Sequence, residues 1–427
     1  MSSSQDIVCR YAAPVLAVCG HSGSGKTTLL EAAIPRLLQR GLAVAVVKHD
    51  AHGFAVDRPG KDSDRLFRAG ATVSLRGPEE QFERRASALS LEVTLARLAC
   101  DHDLLLVEGH KQTPLPKFWL AHPERPEPPE GVAGIVSTLD WCPGPDSSSR
   151  LGAFLQYIEH WLPTAWQART LHCGLLLGGR STRMGRPKQS VHFGEHTLGE
   201  VALQALSDAR SRPHMRPPFV GFPPMTVNAA GPPVASAGAA PAESSSEPFS
   251  CDSGVVLLGA GPFPEGPKAW LRLPDPPEFG GPGAGLIAAH RWAPEAAWIV
   301  AACDHPWLRA EHIEWLAAQR QPGRWAVVPR QRDGHPCPTL ALYEPQALEA
   351  VERRARADRV RRADPSAVLD LPRTAVVEPP AELADGWTNV NTPEQLRAEE
   401  ERLASRNPER AGKTEREGNS ERDGKPR

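Results

Sequence analysis

The stretch PVLAVCGHSGSGKTTLLEAAIPRLLQRG, Pro14 to Gly41, constrains the fold more than any other part of the chain. An apolar run, a glycine-rich turn and an amphipathic run follow one another without a gap, which predicts a buried β-strand, a tight loop and an α-helix. Gly20-His21-Ser22-Gly23-Ser24-Gly25-Lys26-Thr27 fits the pattern G-x-x-x-x-G-K-[ST], with Thr28 beside it. Glycines let backbone N–H groups turn inward on phosphates, Lys26 supplies a point charge, and Thr27 offers a hydroxyl to Mg²⁺. Pro35 deletes one helical hydrogen bond and is expected to kink the helix.

The same alternation continues beyond the loop. LAVAVVKH, LSLEVTLARLAC, DLLLVEGH and GVAGIVSTLD read as strand, helix, strand and strand. Continuous apolar runs between amphipathic segments indicate a parallel sheet covered on both faces. A closing helix is expected at SRLGAFLQYIEHWL, with Phe154, Leu155, Ile158 and Leu162 on one face. Glu108 falls at a strand's carboxyl end, where ligands bind in open α/β sheets, and is expected near the metal; a solvated loop acid is the alternative. His49 and His52 invite a zinc reading, but their i, i+3 spacing in a loop favours substrate contact instead.

A second glycine-rich turn, LLLGGRSTRMGRPKQ from Leu175 to Gln189, lies about 150 residues further on. It lacks the G-K-[ST] ending, so it is not a second loop of the first kind. Gly178 and Gly179 permit close backbone approach to phosphates, and Arg183 and Lys188 add cations spaced to flank a triphosphate. That combination suits nucleotidyl transfer, in which positioning and electrostatics do most of the catalysis. A metal bridging the donor phosphates needs an acid at another strand end. WIVAACDHP supplies Asp304 as the expected Mg²⁺ ligand, with a helix cap as the alternative. Asp275 precedes a turn at Gly281 to Gly285, and Asn389 and Asn391 precede a helix capped by Thr392.

At 427 residues the chain is too long for one ordinary core, so two domains are expected. We place the first at 1–163, a linker at 164–171 and the second at 172–398. Residues 212–248, rich in Pro, Ala and Ser, read as a disordered or loosely held insertion, and 399–427 as a disordered charged tail. Forty-nine basic against fifty-one acidic residues leave a net charge of -2, so no general attraction to nucleic acid or membrane is expected. Eight cysteines without a C-x-x-C pair suggest reduced, buried thiols. No apolar run approaches ~20 residues, so a soluble, cytoplasmic protein is expected.

GHSGSGKTT, VKHDAHG, RPGKDSDR, RAGA, LLLVEGHK and Pro116-Lys117, in this order, resemble the MobB family of molybdopterin-guanine dinucleotide biosynthesis adapter proteins. The resemblance implies a P-loop NTPase-type three-layer α/β domain that binds GTP through Gly20 to Thr28, hydrolyses it weakly at best, and assists a guanylyltransferase. EGHK stands where the family usually has EGFK. LLLGGRSTRMGRPK, DPPEFGGPGAGL, ACDHPWL, HPCPTLALY and TNVNTPEQL resemble the molybdenum cofactor guanylyltransferase family, MobA. That resemblance implies a Rossmann-like nucleotidyltransferase domain, similar to nucleotide-diphospho-sugar transferases, that transfers GMP from GTP to molybdopterin with Mg²⁺. It implies GTP contacts at Leu177, Gly178, Gly179, Lys188 and Asp275, catalytic roles for Arg183, Lys188 and Asp304, and Asn389 and Asn391 toward the pterin. Molybdenum-insertion proteins and molybdoenzyme chaperones are the implied partners beyond the small molecules. VVLLGAG lacks the polar base contact usual in the family, so a cytidylyltransferase, or a sugar-phosphate nucleotidyltransferase fused to a P-loop GTPase or kinase, stays open. A binding module without chemistry is disfavoured by Lys188 and Asp304.

Overall fold

The structure, a computed structural model, describes residues 11–50, 57–140, 147–178, 184–212, 215, 254–263, 270–357 and 362–406. The chain divides into two compact units, Met1–Gln167 and Ala168–Arg427.

Unit 1 contains, in order, β1 (Val15–Gly20), α1 (Lys26–Gln39), β2 (Val44–Lys48), α2 (Asp62–Arg68), β3 (Val73–Arg76), β4 (Gln81–Arg84), α3 (Leu91–Ala99), β5 (Leu104–Glu108), β6 (Lys117–Leu120), β7 (Ile135–Leu139) and α4 (Ser147–Gln167). Five strands form a parallel sheet in the order β2-β5-β1-β6-β7, and β3 and β4 pair separately. Alternate residues of the central strands face opposite layers, as the pleat requires. Leu16 and Val18 of β1 and Leu104 and Leu106 of β5 pack with Leu30, Leu37, Phe154 and Ile158 of α1 and α4. Val15, Ala17, Leu105 and Val107 pack on the other face with Leu95 and Ala99 of α3. The result is three layers, with the central strands β1 and β5 apolar on both sides. Lys117 is wholly buried in β6, its ammonium donating to the carbonyls of Thr113, Leu115 and Ala133. Helix α1 runs unbroken past Pro35.

Unit 2 contains β8 (Leu171–Leu176), β9 (His192–Phe193), β10 (His196–Thr197), α5 (Leu198–Ser211), β11 (Val255–Leu258), β12 (Arg272–Leu273), α6 (Pro282–Trp292), β13 (Ala297–Ala302), α7 (Ala310–Ala318), β14 (Ala326–Pro329), β15 (Leu340–Tyr343), α8 (Pro345–Ala357), β16 (Thr374–Val377) and α9 (Pro393–Arg406). Its sheet has seven strands in the order β12-β11-β8-β13-β15-β14-β16. All run parallel except β15, which is antiparallel to both neighbours. Helices α5 and α7 cover one face, through Ala202, Leu206, Ile313 and Leu316. Helices α6 and α8 cover the other, through Leu286, Ala289, Leu348 and Val351. Strands β8, β11 and β13 therefore end on one edge, the edge that carries the site.

Three boundaries differ from the sequence reading. Helix α4 continues through Pro163 to Gln167, into the expected linker, because Ala165 and Trp166 are buried and keep the helix packed. Met215, inside the expected insertion, joins the core of unit 2. The rest of 216–253 and the tail from 407 onward lie outside the described residues. Helix α9 runs to Arg406, past the expected tail boundary at 399. Leu396 and Leu403 pack beside Trp307, whose indole donates to Glu399 Oε2 at 2.6 Å. Arg402 and Arg406 also stack over the Trp307 ring, at 4.9 and 4.6 Å. No disulfide forms among the described residues, where Cys19, Cys173, Cys303 and Cys337 are buried thiols. No helix among the described residues is long and apolar enough to cross a membrane.

Candidate functional site

In unit 1 the loop between β1 and α1 is held by its own glycines. Gly25, the residue before the helix, has φ 83, a left-handed conformation that a side chain would strain. Lys26 Nζ donates to His21 O at 2.8 Å and lies 3.4 Å from Gly20 O, and burial lowers its pKa. Thr27 opens α1 with its hydroxyl donating to Glu108 Oε1 at 2.8 Å, which brings together the two residues expected at a metal. Lys48 Nζ stands 3.5 Å from the same carboxylate oxygen, since Lys48 and Glu108 are register partners across β2 and β5. Arg150 of α4 donates to Ser24 O at 3.3 Å, bracing the loop from the far side. His21 Nε2 meets Glu127 O at 2.9 Å. His110 takes φ 54, and its ring lies 4.6 Å from that of His49. Burial and the neighbouring His49 lower the pKa of His110. His52 of the zinc reading lies outside the described residues.

In unit 2 the second glycine-rich turn leaves the end of β8. Leu177 N donates to Leu258 O at 2.7 Å and Leu177 O accepts from Gly261 N at 3.2 Å, so the turn is pinned to the exit of β11. Gly179 and Arg183 lie outside the described residues. Lys188 opens a single 3₁₀ turn to Ser190, and its ammonium donates to Asp304 Oδ2 at 2.9 Å and to Asn391 Oδ1 at 2.6 Å. Three segments distant in sequence thus meet at one nitrogen. Asp304 follows β13, and its carbonyl accepts from Val390 N at 2.9 Å, which fixes the segment carrying Asn391. Gln395 Oε1 accepts from Asn391 N and Thr392 N, at 2.7 and 3.2 Å, and caps α9.

These groups border a cavity of about 820 Å³ lined by Leu177, Gly178, Lys188, Asp275, Asp304 and Asn391, among others. Asn389 is half-buried and is not one of its lining residues. Burial pushes the Asp275 carboxyl up from its ordinary pKa. Burial acts the same way on Asp304, but the positive charges of His305 and Lys188, with the lysine's hydrogen bond, outweigh it and hold the carboxyl below its ordinary range. Asp304 Oδ1 is buried and receives no hydrogen bond among the described residues. An orphaned carboxylate oxygen at a cavity wall fits a divalent cation. No group of three or more His, Cys, Asp or Glu stands ready to hold a metal among the described residues. Mg²⁺ typically uses one or two carboxylates together with substrate phosphates.

Gln189, Thr339 and Arg362 also line the cavity and were not singled out in the sequence. Gln189 follows Lys188 directly and donates to Pro262 O at 2.9 Å, so its neighbour was the available signal. Arg362 sits in a charged run without motif. Only the fold reveals it, through its bridge to Gly280 in the turn before α6.

Comparison with known proteins agrees with the two-unit division. The family described as "Molybdopterin guanine dinucleotide synthesis protein B" matches residues 15–136, and the "MobA-like NTP transferase domain" matches residues 244–368. The "Molybdopterin-guanine dinucleotide biosynthesis adapter protein" of Haemophilus influenzae is 37% identical over 160 residues, covering 35% of this chain and 89% of its own. The "Probable molybdenum cofactor guanylyltransferase" of Bacillus licheniformis is 31% identical over 229 residues, covering 53% of this chain and 93% of its own. Among solved structures, molybdopterin-guanine dinucleotide biosynthesis protein A from Archaeoglobus fulgidus is similar at 20% identity and a TM-score of 0.37, covering 55% of this chain and 98% of its own. The sequence relatives, each covered over most of its length, establish that the chain belongs to the MobB adapter family in its first part and to the MobA guanylyltransferase family in its second.

Proposed function

We propose that unit 2 transfers GMP from GTP to molybdopterin, forming the guanine dinucleotide cofactor and releasing pyrophosphate, and that unit 1 is its fused GTP-binding adapter. The observation that carries this reading is the meeting of Lys188, Asp304 and Asn391 on the wall of a cavity that also holds Gly178 and Asp275. A terminal phosphate oxygen of molybdopterin attacks the α-phosphorus of GTP. The bond from the α-phosphorus to the bridging oxygen breaks, and its electron pair leaves on pyrophosphate.

The protein's part is positioning and charge. The ammonium of Lys188 suits the leaving pyrophosphate, with Arg183 assigned beside it. The backbone of Leu177, Gly178 and Gly179 suits the phosphates, Asp275 the remainder of GTP, and Asn389 and Asn391 the pterin side. Mg²⁺ held by Asp304 would neutralise charge on the donor phosphates. In unit 1, Gly20 to Thr28 suit a second GTP, with Thr27 and Glu108 toward its Mg²⁺. Guanine is favoured over cytosine by the guanylyltransferase relatives rather than by any polar side chain after β11. Fusion keeps the adapter at high effective concentration near the enzyme without tight binding. We place this work in the cytoplasm, alongside molybdenum-insertion proteins and molybdoenzyme chaperones.

Incubating the full chain with molybdopterin, Mg²⁺ and GTP, CTP or ATP tests the reading. Guanine dinucleotide and pyrophosphate are expected from GTP; transfer from CTP in preference would replace the guanylyl assignment with a cytidylyl one. Asp304→Asn is expected to lower transfer by at least ~100-fold while leaving GTP on unit 1, in line with the loss of one preorganised electrostatic group. Unchanged turnover in that variant defeats the role given to Asp304.

A further inference from the structure

The imidazole of His305 is wholly buried, yet its Nε2 lies 3.4 Å from Asp304 Oδ1. The same nitrogen lies 3.7 Å from Cys337 Sγ. Cys337 is itself fixed, its backbone N donating to Pro329 O at 2.8 Å, and Ala302 N donates to Thr339 O at 2.8 Å. The ring is therefore clamped between the exit of β13 and the connection from β14 to β15. On the other side of the carboxylate, Lys188 takes Oδ2 at 2.9 Å. Each oxygen of Asp304 thus faces a different nitrogen, one from a lysine at the cavity wall and one from a wholly buried ring. At 3.4 Å the imidazole makes a long contact, and a carboxylate oxygen accepts more than one partner, so Oδ1 keeps capacity for another ligand.

We infer that His305 is a positioning residue for Asp304: the buried ring sets the plane of the carboxylate and keeps Oδ1 available to a divalent cation. The inference rests on the reading of Asp304 as the cation ligand of the transferase. Groups that orient a metal-binding side chain commonly govern metal affinity or activity by ~10–100-fold. Neither the glycine-rich turn nor the Asp304-to-Pro306 pattern demands histidine at 305, so the effect is a property of this chain and its Cys337 contact.

Mn²⁺ binding to the full chain, followed by electron paramagnetic resonance with GTP present, tests this directly. Asp304→Asn identifies which bound Mn²⁺ belongs to that carboxylate. His305→Leu is expected to weaken that Mn²⁺ by roughly 10–100-fold and to raise the Mg²⁺ needed for half-maximal GMP transfer by a similar factor. The KM for GTP at saturating Mg²⁺ should change little. His305→Gln, which retains an N–H donor, should recover most of the loss. Wild-type Mn²⁺ affinity in His305→Leu overturns the inference. Equal impairment in the Leu and Gln variants also overturns it, since that marks a packing role. If His305→Leu does not fold, His305→Met, which also lacks an N–H donor, replaces it with the same two outcomes. Should the wild type transfer no GMP, the proposed function fails while the Mn²⁺ measurement still decides the role of His305. Retention of every Mn²⁺ in Asp304→Asn removes both.

Discussion

His172, on β8, gives unit 2 a calculable sensitivity to acid. Its ring is 9% exposed and lies 5.2 and 4.9 Å from the rings of Trp292 and Trp298. Burial, with a smaller contribution from Arg210, lowers its pKa from 6.5 to about 3. The folded protein therefore holds this imidazole neutral, whereas the unfolded chain takes up a proton near pH 6.5. Protons favour the unfolded state, so the full stability is present above that value and is lost progressively as pH falls toward 3. Each unit below the unfolded pKa costs about 1.4 kcal/mol. At pH 5 the loss is about 2 kcal/mol, and by pH 3 it is about 4 kcal/mol. His172→Gln removes the titration while keeping a polar side chain. Urea unfolding of the wild type and the variant at pH 7.5 and pH 5.0, followed by tryptophan fluorescence, separates this group from every other that titrates. The variant should lose about 2 kcal/mol less than the wild type between the two pH values. Equal losses in both proteins would refute a neutral buried imidazole at this position.

Two further substitutions test the frame around the site. Glu344 is wholly buried and is held by Arg169 at 2.5 Å and Arg320 at 2.8 Å, so Glu344→Gln leaves two buried guanidinium groups without their carboxylate. A loss of about 3–5 kcal/mol in unfolding free energy is expected, read from the urea midpoint, and a loss below about 1 kcal/mol means water reaches the pair. Gly283, in the first turn of α6, has the backbone of Ala363 where a side chain would start: an added Cβ would lie 2.6 Å from Ala363 C and 2.8 Å from its O. Gly283→Ala should cost ~1–3 kcal/mol by overpacking, and should weaken GTP binding to unit 2 because the displaced segment carries Arg362. An unchanged thermal midpoint contradicts the close approach.

What the sequence revealed depended on whether the signal was local. The strands β1, β5 and β13 are apolar runs, β8 is one apart from His172, and each ends in a residue or turn singled out as a candidate, so their place in a doubly covered sheet was readable. The direction of β15 was not. LALY has the same apolar character as a parallel strand, and only its pairing with β13 and β14 reverses it. Helix α9 was cut short because its apolar residues are sparse. Its last turns gain from guanidinium groups over Trp307, a contact across about 100 residues that no periodicity reports. The contact of His305 with Cys337 is hidden for the same reason, since nothing in either motif names the other. Glu108 was legible because a strand end in an α/β sheet is a position with a chemical meaning.

The single nitrogen shared by Asp304 and Asn391 has a consequence for how ligands arrive. Asp304 and Asn391 already take two of the three N–H donors of Lys188, so the carboxylate draws on much of the charge that an incoming polyphosphate would meet. On the proposed function, nucleotide entry shifts part of the lysine's charge from Asp304 to the phosphates, and a cation brought to the carboxylate would make up the difference. A nucleotide arriving alone would weaken the pairing of a buried carboxylate, which costs free energy. The metal complex of the nucleotide would bring both charges at once, so on the same reading it is the favoured form.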